Sequence, residues 1–280
     1  RLVRVFVDLG VSKIRLTGGE PLLRAGLPGL VSRIASIPGV EDLALTTNAI
    51  LLPRHAGALH DAGLGRITIS LDSIDRDTFL AMSGGRGSVA EVMAGIAAAE
   101  QAGFEELKIN TVVQRGVNDQ GVESLVDHFR GSSHIVRLIE FMEVGNLKHW
   151  SRGQVVPSAE LFERLHARWP LRPLASRVVG ETARRYAFED GLGELGFISS
   201  ITQPFCGDCT RARVTADGNF YTCLFANRGA ALRPLLRQSG DSQLLEFLRG
   251  RWAGRGDRYS EVRSETVLEK DRVEMFRMGG

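Results

Sequence analysis

"KIRLTGGEPLL" (residues 13–23) joins a short β-branched run, a pair of glycines and the beginning of an amphipathic segment. Lys13 and Arg15 are two residues apart, so both side chains project from the same side of a strand. Gly18 and Gly19 allow positive φ and close approach of a ligand to the backbone. Pro21 suits the first turn of a helix. The stretch therefore predicts one βα unit: a strand, a tight turn and a helix.

The same pattern recurs through the first half of the chain, at intervals of roughly 25 to 35 residues. Further strands are predicted at 42–48, 66–72, 107–114 and 136–144, and helices at 22–37, 53–62, 75–82, 88–103 and 120–130. Ser88 and Glu91 have the spacing of a capping box. Repeated βα units predict parallel strands with right-handed crossovers, in a barrel or in a doubly wound sheet. Five such units are recognisable, whereas a closed (β/α)8 barrel needs eight.

Polar residues and glycines follow the predicted strands, at the edge of a parallel sheet where ligands bind. The segments are 17–20, 46–48, 70–72, Gln114 and 140–143. Glu20 could accept hydrogen bonds from an ammonium or a hydroxyl group. A glycine pair in a βα loop is by itself usually structural, and this one matches neither a dinucleotide fingerprint nor a P-loop.

Four basic residues fall within or beside the predicted strands: Lys13, Arg15, Lys108 and Arg137. Each of them taken singly fits an exposed position. Inside a barrel, basic side chains on one side of the strands would be costly without an anionic partner. Their number therefore favours a site for an anion at the converging strand ends.

The repeated βα pattern of the sequence ends near residue 146. "PSAELFERLHARW" predicts an amphipathic helix, and "RRYAFEDGLGELGFISSI" and "RARVTADGNFYTCLF" predict two hairpins, the second with Asp217-Gly218 in its tight turn. We expect two domains, residues 1–145 with the βα units and residues 146–280 as an antiparallel lid.

All three cysteines lie in the second hairpin region: Cys206, Cys209 and Cys223. An antiparallel hairpin returns the chain beside its start, so the three sulfurs can converge. Structural zinc almost always takes four protein ligands, and His166 is the last histidine of the chain. A 4Fe-4S cluster on three cysteines keeps one iron open. The spacing favours this cluster, with a zinc site and unliganded cysteines as alternatives.

Two arginines, Arg211 and Arg213, follow the second cysteine at alternate positions. A solvated basic edge is the commoner interpretation of such a pair. Beside an open metal site, two guanidinium groups on one face would suit a polyanion such as a phosphate chain.

The composition limits the other classes of protein to which the chain could belong. The chain is 43% hydrophobic and 24% charged, as in ordinary globular proteins, and its net charge of +2 gives no argument for nucleic acid or a membrane surface. An apolar run long enough to cross a membrane is not apparent, nor is a signal peptide. The unpaired cysteine count predicts a reducing compartment, so a cytoplasmic location is expected. The chain begins with arginine, which suggests a fragment.

Taken in order, "KIRLTGGEPLLR", "LTTNAILL", "ISLDSID", "KINTVVQRGVND", "VRLIEFMEVGN", the cysteine hairpin and the terminal "MGG" resemble the GTP 3',8-cyclases of molybdenum-cofactor biosynthesis. These are radical S-adenosylmethionine (SAM) enzymes. The resemblance implies an α/β fold: an incomplete six-stranded (β/α) barrel whose first strand is missing from this chain, with a C-terminal α+β domain that carries a second 4Fe-4S cluster. The implied activity is that of a lyase that rearranges GTP to (8S)-3',8-cyclo-7,8-dihydroguanosine 5'-triphosphate.

The resemblance also implies roles for individual residues. The cysteines would hold the second cluster, whose open iron binds the purine. GTP would contact Arg15, Thr46, Lys108, Arg211, Ala212 and Arg213, with Lys13 and Arg137 as further phosphate partners. SAM would contact Gly19, Ser70 and Met142. Gly279 and Gly280 match a diglycine tail that in the family reaches the active site.

The chain departs from the family in two places. The family's C-x3-C-x2-C loop, which holds the SAM-cleaving cluster, is absent, so the chain is expected to be inactive without that loop. Ala49 stands where the family usually has glycine. The alternatives are a non-catalytic homologue that binds GTP or a metal, and another radical SAM enzyme with an auxiliary cluster. Implied partners are a reducing electron donor, a downstream pyranopterin monophosphate synthase and a second copy of the chain, without nucleic acid or membrane.

Overall fold

The computed structural model of the chain describes residues 1–142, 150–178, 180–257 and 259–262. A helix, α1 (Leu2–Asp8), precedes five βα units. Their strands are β1 (Lys13–Leu16), β2 (Asp42–Thr47), β3 (Arg66–Ser70), β4 (Lys108–Val113) and β5 (Ile135–Glu140). Their helices are α2 (Leu27–Ala35), α3 (Leu52–Asp61), α4 (Arg76–Met82), α5 (Val89–Gln101), α6 (Val122–Phe129) and α7 (Ser158–Arg168). Every strand predicted in this half is present, although each ends before its predicted limit.

The order of the strands shows how the units are wound. Strands β1 to β5 are parallel neighbours in chain order, with Arg15 opposite Ala44 and Thr46 opposite Thr68. A doubly wound sheet reverses its strand order at a switch point, whereas this order does not reverse. The prediction of an α/β protein with a mostly parallel sheet is confirmed.

Three later strands extend the same sheet. They are β6 (Leu171–Leu174), β7 (Arg184–Phe188) and β8 (Glu194–Ile198). The predicted hairpin of β7 and β8 is present, and β6 pairs antiparallel with β7. β8 also lies parallel to β5, with Ile139 opposite Ile198. The sequence placed this hairpin in a lid, but its strands continue the main sheet because β5 has a free edge.

Alternation along the strands gives the sheet two unlike faces. On β3, Ile67 and Ile69 are fully buried, while Arg66, Thr68 and Ser70 point the other way. Apolar side chains of helices α2 to α7 join the first set in one core cluster. Each fully buried Leu or Ile contributes about 1.5–3 kcal/mol of stabilisation. We call the opposite, polar side the site face; its strand residues are Lys13, Arg15, Thr46, Arg66, Thr68, Ser70, Lys108, Asn110 and Arg137.

A second core connects the beginning of the chain to the cysteine region. Here β9 (Arg213–Val214), β10 (Asn219–Tyr221) and β11 (Ala230–Ala231) form an antiparallel sheet, followed by α8 (Arg233–Gln238), α9 (Asp241–Ala253) and α10 (Tyr259–Val262). Val5 of α1 packs with Phe220, Leu232, Leu244 and Leu248. The predicted β9–β10 hairpin is present, and Gly218 has the positive φ of 84° that its turn requires.

The predicted boundary at residue 145 remains a prediction. Val156 and Leu161, which follow it, belong to the same core cluster as the five βα units. The tail residues Gly279 and Gly280 lie outside the described residues. Among the helices described, none is both long and apolar enough to span a bilayer.

Candidate functional site

Arg15 lies on the site face of β1, the edge strand of the sheet. Its Nη1 donates hydrogen bonds to Thr46 Oγ1 at 2.9 Å and to Thr68 Oγ1 at 3.0 Å. Strand register produces this contact, because Thr46 and Thr68 are directly opposite each other on β2 and β3. Both acceptors are neutral, and the nearby carboxylate of Asp42, which pairs with Arg66, compensates the charge of the guanidinium only in part.

Two further cations lie on the site face of β4 and β5. The Nε of Arg137 donates to Asn110 Oδ1 at 2.8 Å, across the β4–β5 pair. The Nζ of Lys108 is 3.7 Å from Glu106 Oε1, and its side chain is 17% exposed. The side chains of Arg15, Lys108 and Arg137 therefore lie on one face of the sheet. The sequence analysis expected basic residues on the same side of their strands to share such a face.

The pKa values report the resulting crowding of positive charge. Burial, followed by repulsion from Arg66 and Arg137, lowers the pKa of Lys108 to about 8. Burial, followed by repulsion from Arg15 and Arg66, lowers the pKa of Arg137 to about 10. The pKa of Arg15 is also lowered, first by partial desolvation of its guanidinium and then by repulsion from Arg66, although the residue as a whole is exposed on the edge strand. A bound polyanion would relieve this repulsion.

Arg66 was missed in the sequence analysis although it contributes to all three shifts. Both its Nε and Nη2 bind the carboxylate of Asp42, with 2.8 Å between Nε and Oδ1. Its charge is therefore largely matched by an acidic partner on β2. The alternation Arg66, Thr68, Ser70 could have revealed its face, because Ser70 was already among the predicted site residues.

Glu20, in the glycine turn, has a structural role. Its Oε1 accepts from Leu22 N at 3.0 Å and Thr47 Oγ1 at 2.7 Å, and Oε2 accepts from Asn48 N at 2.9 Å. These contacts fasten the turn after β1 to the end of β2. The sequence suggested that Glu20 could receive an ammonium or hydroxyl; the hydroxyl it receives belongs to Thr47.

Ala49, the departure after "TTN", has a φ of 68°, a conformation that favours glycine. Its backbone oxygen faces Gly95 of α5, where an added Cβ would lie 2.2 Å from it. The close packing of α5 against this turn therefore depends on glycine at residue 95. The conformation suits glycine, the residue that the family resemblance implies at position 49.

The predicted SAM contacts lie at the carboxyl edge of the sheet. Gly19 follows β1, Ser70 ends β3 and Met142 is two residues beyond β5. Nothing lies within 4 Å of a Cβ built on Gly19, so the turn is open to a ligand. Asp72, two residues beyond β3, accepts from Val112 N at 2.8 Å, and burial raises its pKa to about 6.

The cysteines flank the β9–β10 hairpin. Cys206 and Cys209 precede β9 and Cys223 follows β10; all three thiols are free and partly buried. Cys223 interacts electrostatically with Cys206, and Arg213 interacts with both Cys209 and Cys223. Within the described part of the chain, however, no three His, Cys, Asp or Glu side chains are grouped as metal ligands.

The surroundings of Cys209 favour an anionic thiolate, whereas those of Cys223 favour the neutral thiol. Arg211 Nη2 is 3.5 Å from Cys209 Sγ, and Phe225 N is 3.4 Å from Cys223 Sγ. Burial alone would raise the pKa of Cys209, but the charge and hydrogen bonds of Arg211 outweigh it and the pKa is lowered. Burial raises the pKa of Cys223. Free thiols are the ligands that iron–sulfur clusters use, so the residue types present suit such a cluster, although the three sulfurs are not grouped as a ligand set in this structure.

The two arginines behind Cys209 differ in their positions. The sequence placed both on one strand, but β9 begins only at Arg213, and Arg211 and Ala212 precede it in an exposed loop. Arg211 also stacks over Phe205, with 5.1 Å between its Cζ and the ring centroid. Burial, then Arg211, lowers the pKa of Arg213 to about 10.

Two family models match successive parts of the chain. Residues 1–129 match the radical SAM superfamily, and residues 134–261 match the family described as Molybdenum Cofactor Synthesis C. A solved radical SAM methyltransferase from Sphaerobacter thermophilus is similar over 59% of this chain and 50% of its own, with 19% identity and a TM-score of 0.46. This structural similarity is too low to support a conclusion about the fold or the function of the chain.

Several named relatives are far more similar. A GTP 3',8-cyclase of Xanthomonas campestris pv. campestris (strain B100) is 59% identical over 279 residues, which cover 100% of this chain and 82% of that protein. The GTP 3',8-cyclase of Acidothermus cellulolyticus is 50% identical, with 94% and 74% covered. That of Synechococcus sp. (strain WH7803) is 45% identical, with 100% and 86% covered. As its sequence predicted, the chain belongs to the GTP 3',8-cyclase family of radical SAM enzymes.

Proposed function

We propose that the chain binds GTP for the reaction for which its family is named, the rearrangement of GTP to (8S)-3',8-cyclo-7,8-dihydroguanosine 5'-triphosphate; the C-x3-C-x2-C loop that this reaction also needs is not among its 280 residues. In this proposal the singly wound sheet is the family's incomplete barrel, and its site face holds the nucleotide. The reaction is an early step of molybdenum-cofactor synthesis, in keeping with the family model matched by residues 134–261.

The observation that carries the proposal is the excess of positive charge on the site face, which nearby carboxylates compensate only in part. Arg15 and Arg137 donate to the neutral groups of Thr46, Thr68 and Asn110. Lys108 pairs with Glu106 at 3.7 Å, a carboxylate that it shares with Arg177. Lys108 and Arg137 are partly buried, and cations in such positions are normally paired, so an anion would stabilise this arrangement. A triphosphate supplies several negative oxygens for such contacts.

The cysteine hairpin would hold the other end of the substrate. Cys206, Cys209 and Cys223 would bind a 4Fe-4S cluster, and guanine would occupy its open iron. Arg211 and Arg213 would then lie beside the nucleotide, where their charge also favours thiolate ligands. When bound, SAM and its own cluster supply the radical that takes hydrogen from the ribose. Gly19, Ser70 and Met142 would orient SAM at the sheet edge.

Binding of GTP tests the proposal directly. Lys108→Met should weaken binding by roughly 10- to 100-fold, because one charge-assisted contact contributes on the order of 1.5–3 kcal/mol. Arg33→Ala is a matched control: Arg33 lies on α2, away from the site face, and binds Gly29 O of its own helix. Titration calorimetry of both variants would measure the effect.

Two results would contradict the proposal: equal GTP affinity in Lys108→Met and wild type, or equal losses in both variants. The cluster is tested separately, by anaerobic reconstitution of the chain, which should give a 4Fe-4S spectrum that GTP perturbs more than ATP does. A zinc site without sulfide would refute the cluster assignment.

A further inference from the structure

Glu140 is a buried carboxylate that the proposed chemistry does not use. It ends β5 on the apolar side of the sheet and is 0% exposed. Because it belongs to the predicted strand-end segment 140–143, it was expected to lie at the ligand-binding edge of the sheet. The structure instead surrounds it with protein donors.

Four hydrogen bonds converge on this carboxylate. Oε1 accepts from Ser158 N at 2.8 Å and from Thr202 Oγ1 at 2.5 Å. Oε2 accepts from Ile201 N and Thr202 N, both at 2.8 Å. Both oxygens act only as acceptors, and bonds to a carboxylate are about twice as strong as neutral ones.

The donors belong to segments that are far apart in the chain. Ser158 is the first residue of α7, whereas Ile201 and Thr202 lie in the turn after β8. The register between β5 and β8 ends with Ile139 opposite Ile198. The hydrogen bonds from Ile201 N and Thr202 N to Glu140 therefore connect β5 to the chain after β8, beyond the last paired residues of the two strands.

Glu140 connects the segment that contains a proposed SAM contact to the segment that leads to the proposed cluster ligands. Met142, the proposed SAM contact, is two residues after Glu140. Cys206, the first proposed cluster ligand, is four residues after Thr202. An apolar side chain could fill the same volume, but it would leave two backbone N–H groups of the turn without this acceptor and would not fix their direction.

We propose that Glu140 is a positioning residue: it fixes the direction in which the cysteine loop leaves the sheet, and so sets the separation between the two ends of the site. The roles given to Met142 and Cys206 rest on the proposed function. The mechanical part of the inference, the restraint of residues 199–206 by Glu140, rests on the contacts alone.

Hydrogen exchange tests the restraint. Glu140→Gln replaces one acceptor oxygen with an NH2 group, so amide exchange in residues 199–206 should become at least about tenfold faster. Thr202→Val removes only the hydroxyl donor and should give a smaller change in the same direction, even if Glu140→Gln folds poorly. The control is Glu123→Gln, which breaks the ion pair with Arg164 on another surface. Unchanged exchange in both test variants, or the same acceleration in the control, would overturn the proposal.

A second measurement connects the restraint to the site. With the cluster reconstituted, the ratio of the affinities for GTP and for inorganic triphosphate should fall about tenfold in Glu140→Gln, because triphosphate needs only the site face. An unchanged ratio would refute the positioning of the site by Glu140. If wild type itself does not prefer GTP to triphosphate, the proposed function fails instead, while the exchange result stands.

Discussion

At the scale of single residues, charge that is not neutralised within the fold marks the site. Arg66 has a bidentate partner in Asp42, whereas Arg15 and Arg137 bind neutral groups. The strand cations can all be found in the sequence as basic residues at alternating strand positions. Which of them remains available to a ligand depends on ion pairs with residues on other strands, and these pairs are not encoded in local spacing.

Lys108 gives a prediction about pH. Its pKa in the folded chain is about 8, below the value of 10.5 for a free lysine, so the folded protein binds fewer protons than the unfolded chain between these pH values. Protonated Lys108 therefore destabilises the unliganded protein at pH 7. Lys108→Met should be more stable than wild type at pH 7, on the order of 1–2 kcal/mol after screening.

The difference should shrink as pH rises through 8 toward 10, because wild-type Lys108 then loses its proton. Urea denaturation of both proteins at several pH values would measure it. A constant difference would show that Lys108 is not desolvated. GTP binding to wild type should weaken over the same pH range, since neutral lysine no longer attracts phosphate.

At the scale of elements, local patterns predicted the strands and helices well because periodicity depends on neighbouring residues. Ser88 caps α5, with its Oγ accepting from Glu91 N at 3.3 Å, as the sequence indicated. The roles of Glu20 and Glu140 could not be predicted, because their donors come from other elements. A strand-end carboxylate looks the same in sequence whether it faces a ligand or the interior.

Helices α5 and α3 offer a matched pair of glycine substitutions. Gly95→Ala would place a Cβ 2.2 Å from Ala49 O, so either the helix or the turn must move, at a cost of at least about 2 kcal/mol. Gly57→Ala, in the exposed part of α3, meets no atom within 4 Å and should stabilise by ~0.5–1 kcal/mol.

Thermal denaturation of the two variants should thus shift the midpoint in opposite directions. A stable Gly95→Ala protein would mean that α5 does not pack on the Ala49 turn as described.

At the scale of the whole molecule, the second core links α1 to the hairpin that carries the cysteines. Arg1 strengthens this link, since its Nη2 donates to Ser239 O at 2.6 Å and its Nε lies 2.5 Å from Asp241 Oδ1. Arg255 reaches back to the hairpin, donating from Nη2 to Cys209 O at 2.5 Å. The cysteine region is therefore supported by elements from both ends of the described chain.

Loss of packing in this core should loosen the cysteines selectively. Leu248→Ala, at a residue 1% exposed, should cost about 2–5 kcal/mol and speed the reaction of the thiols with a disulfide reagent. Only Cys206, Cys209 and Cys223 can react, because the chain has 3 cysteines. Leu59→Ala, at a residue 0% exposed in the main core, is the control and should not speed labelling before global unfolding. Equal acceleration in both variants would argue against a separate second core.

The sequence by itself determined the five βα units, the two hairpins, the family and the types of residue that face the site, because period-2 alternation and turn chemistry act over a few residues. Tertiary structure decided three other features: the continuation of the sheet by β6 to β8, the pairing of Arg66 with Asp42, and the binding of Glu20 and Glu140 to protein donors instead of a ligand. Each of these depends on hydrogen bonds or ion pairs between residues distant in the chain. Such contacts are determined only when the strands take their register and the helices cover one face.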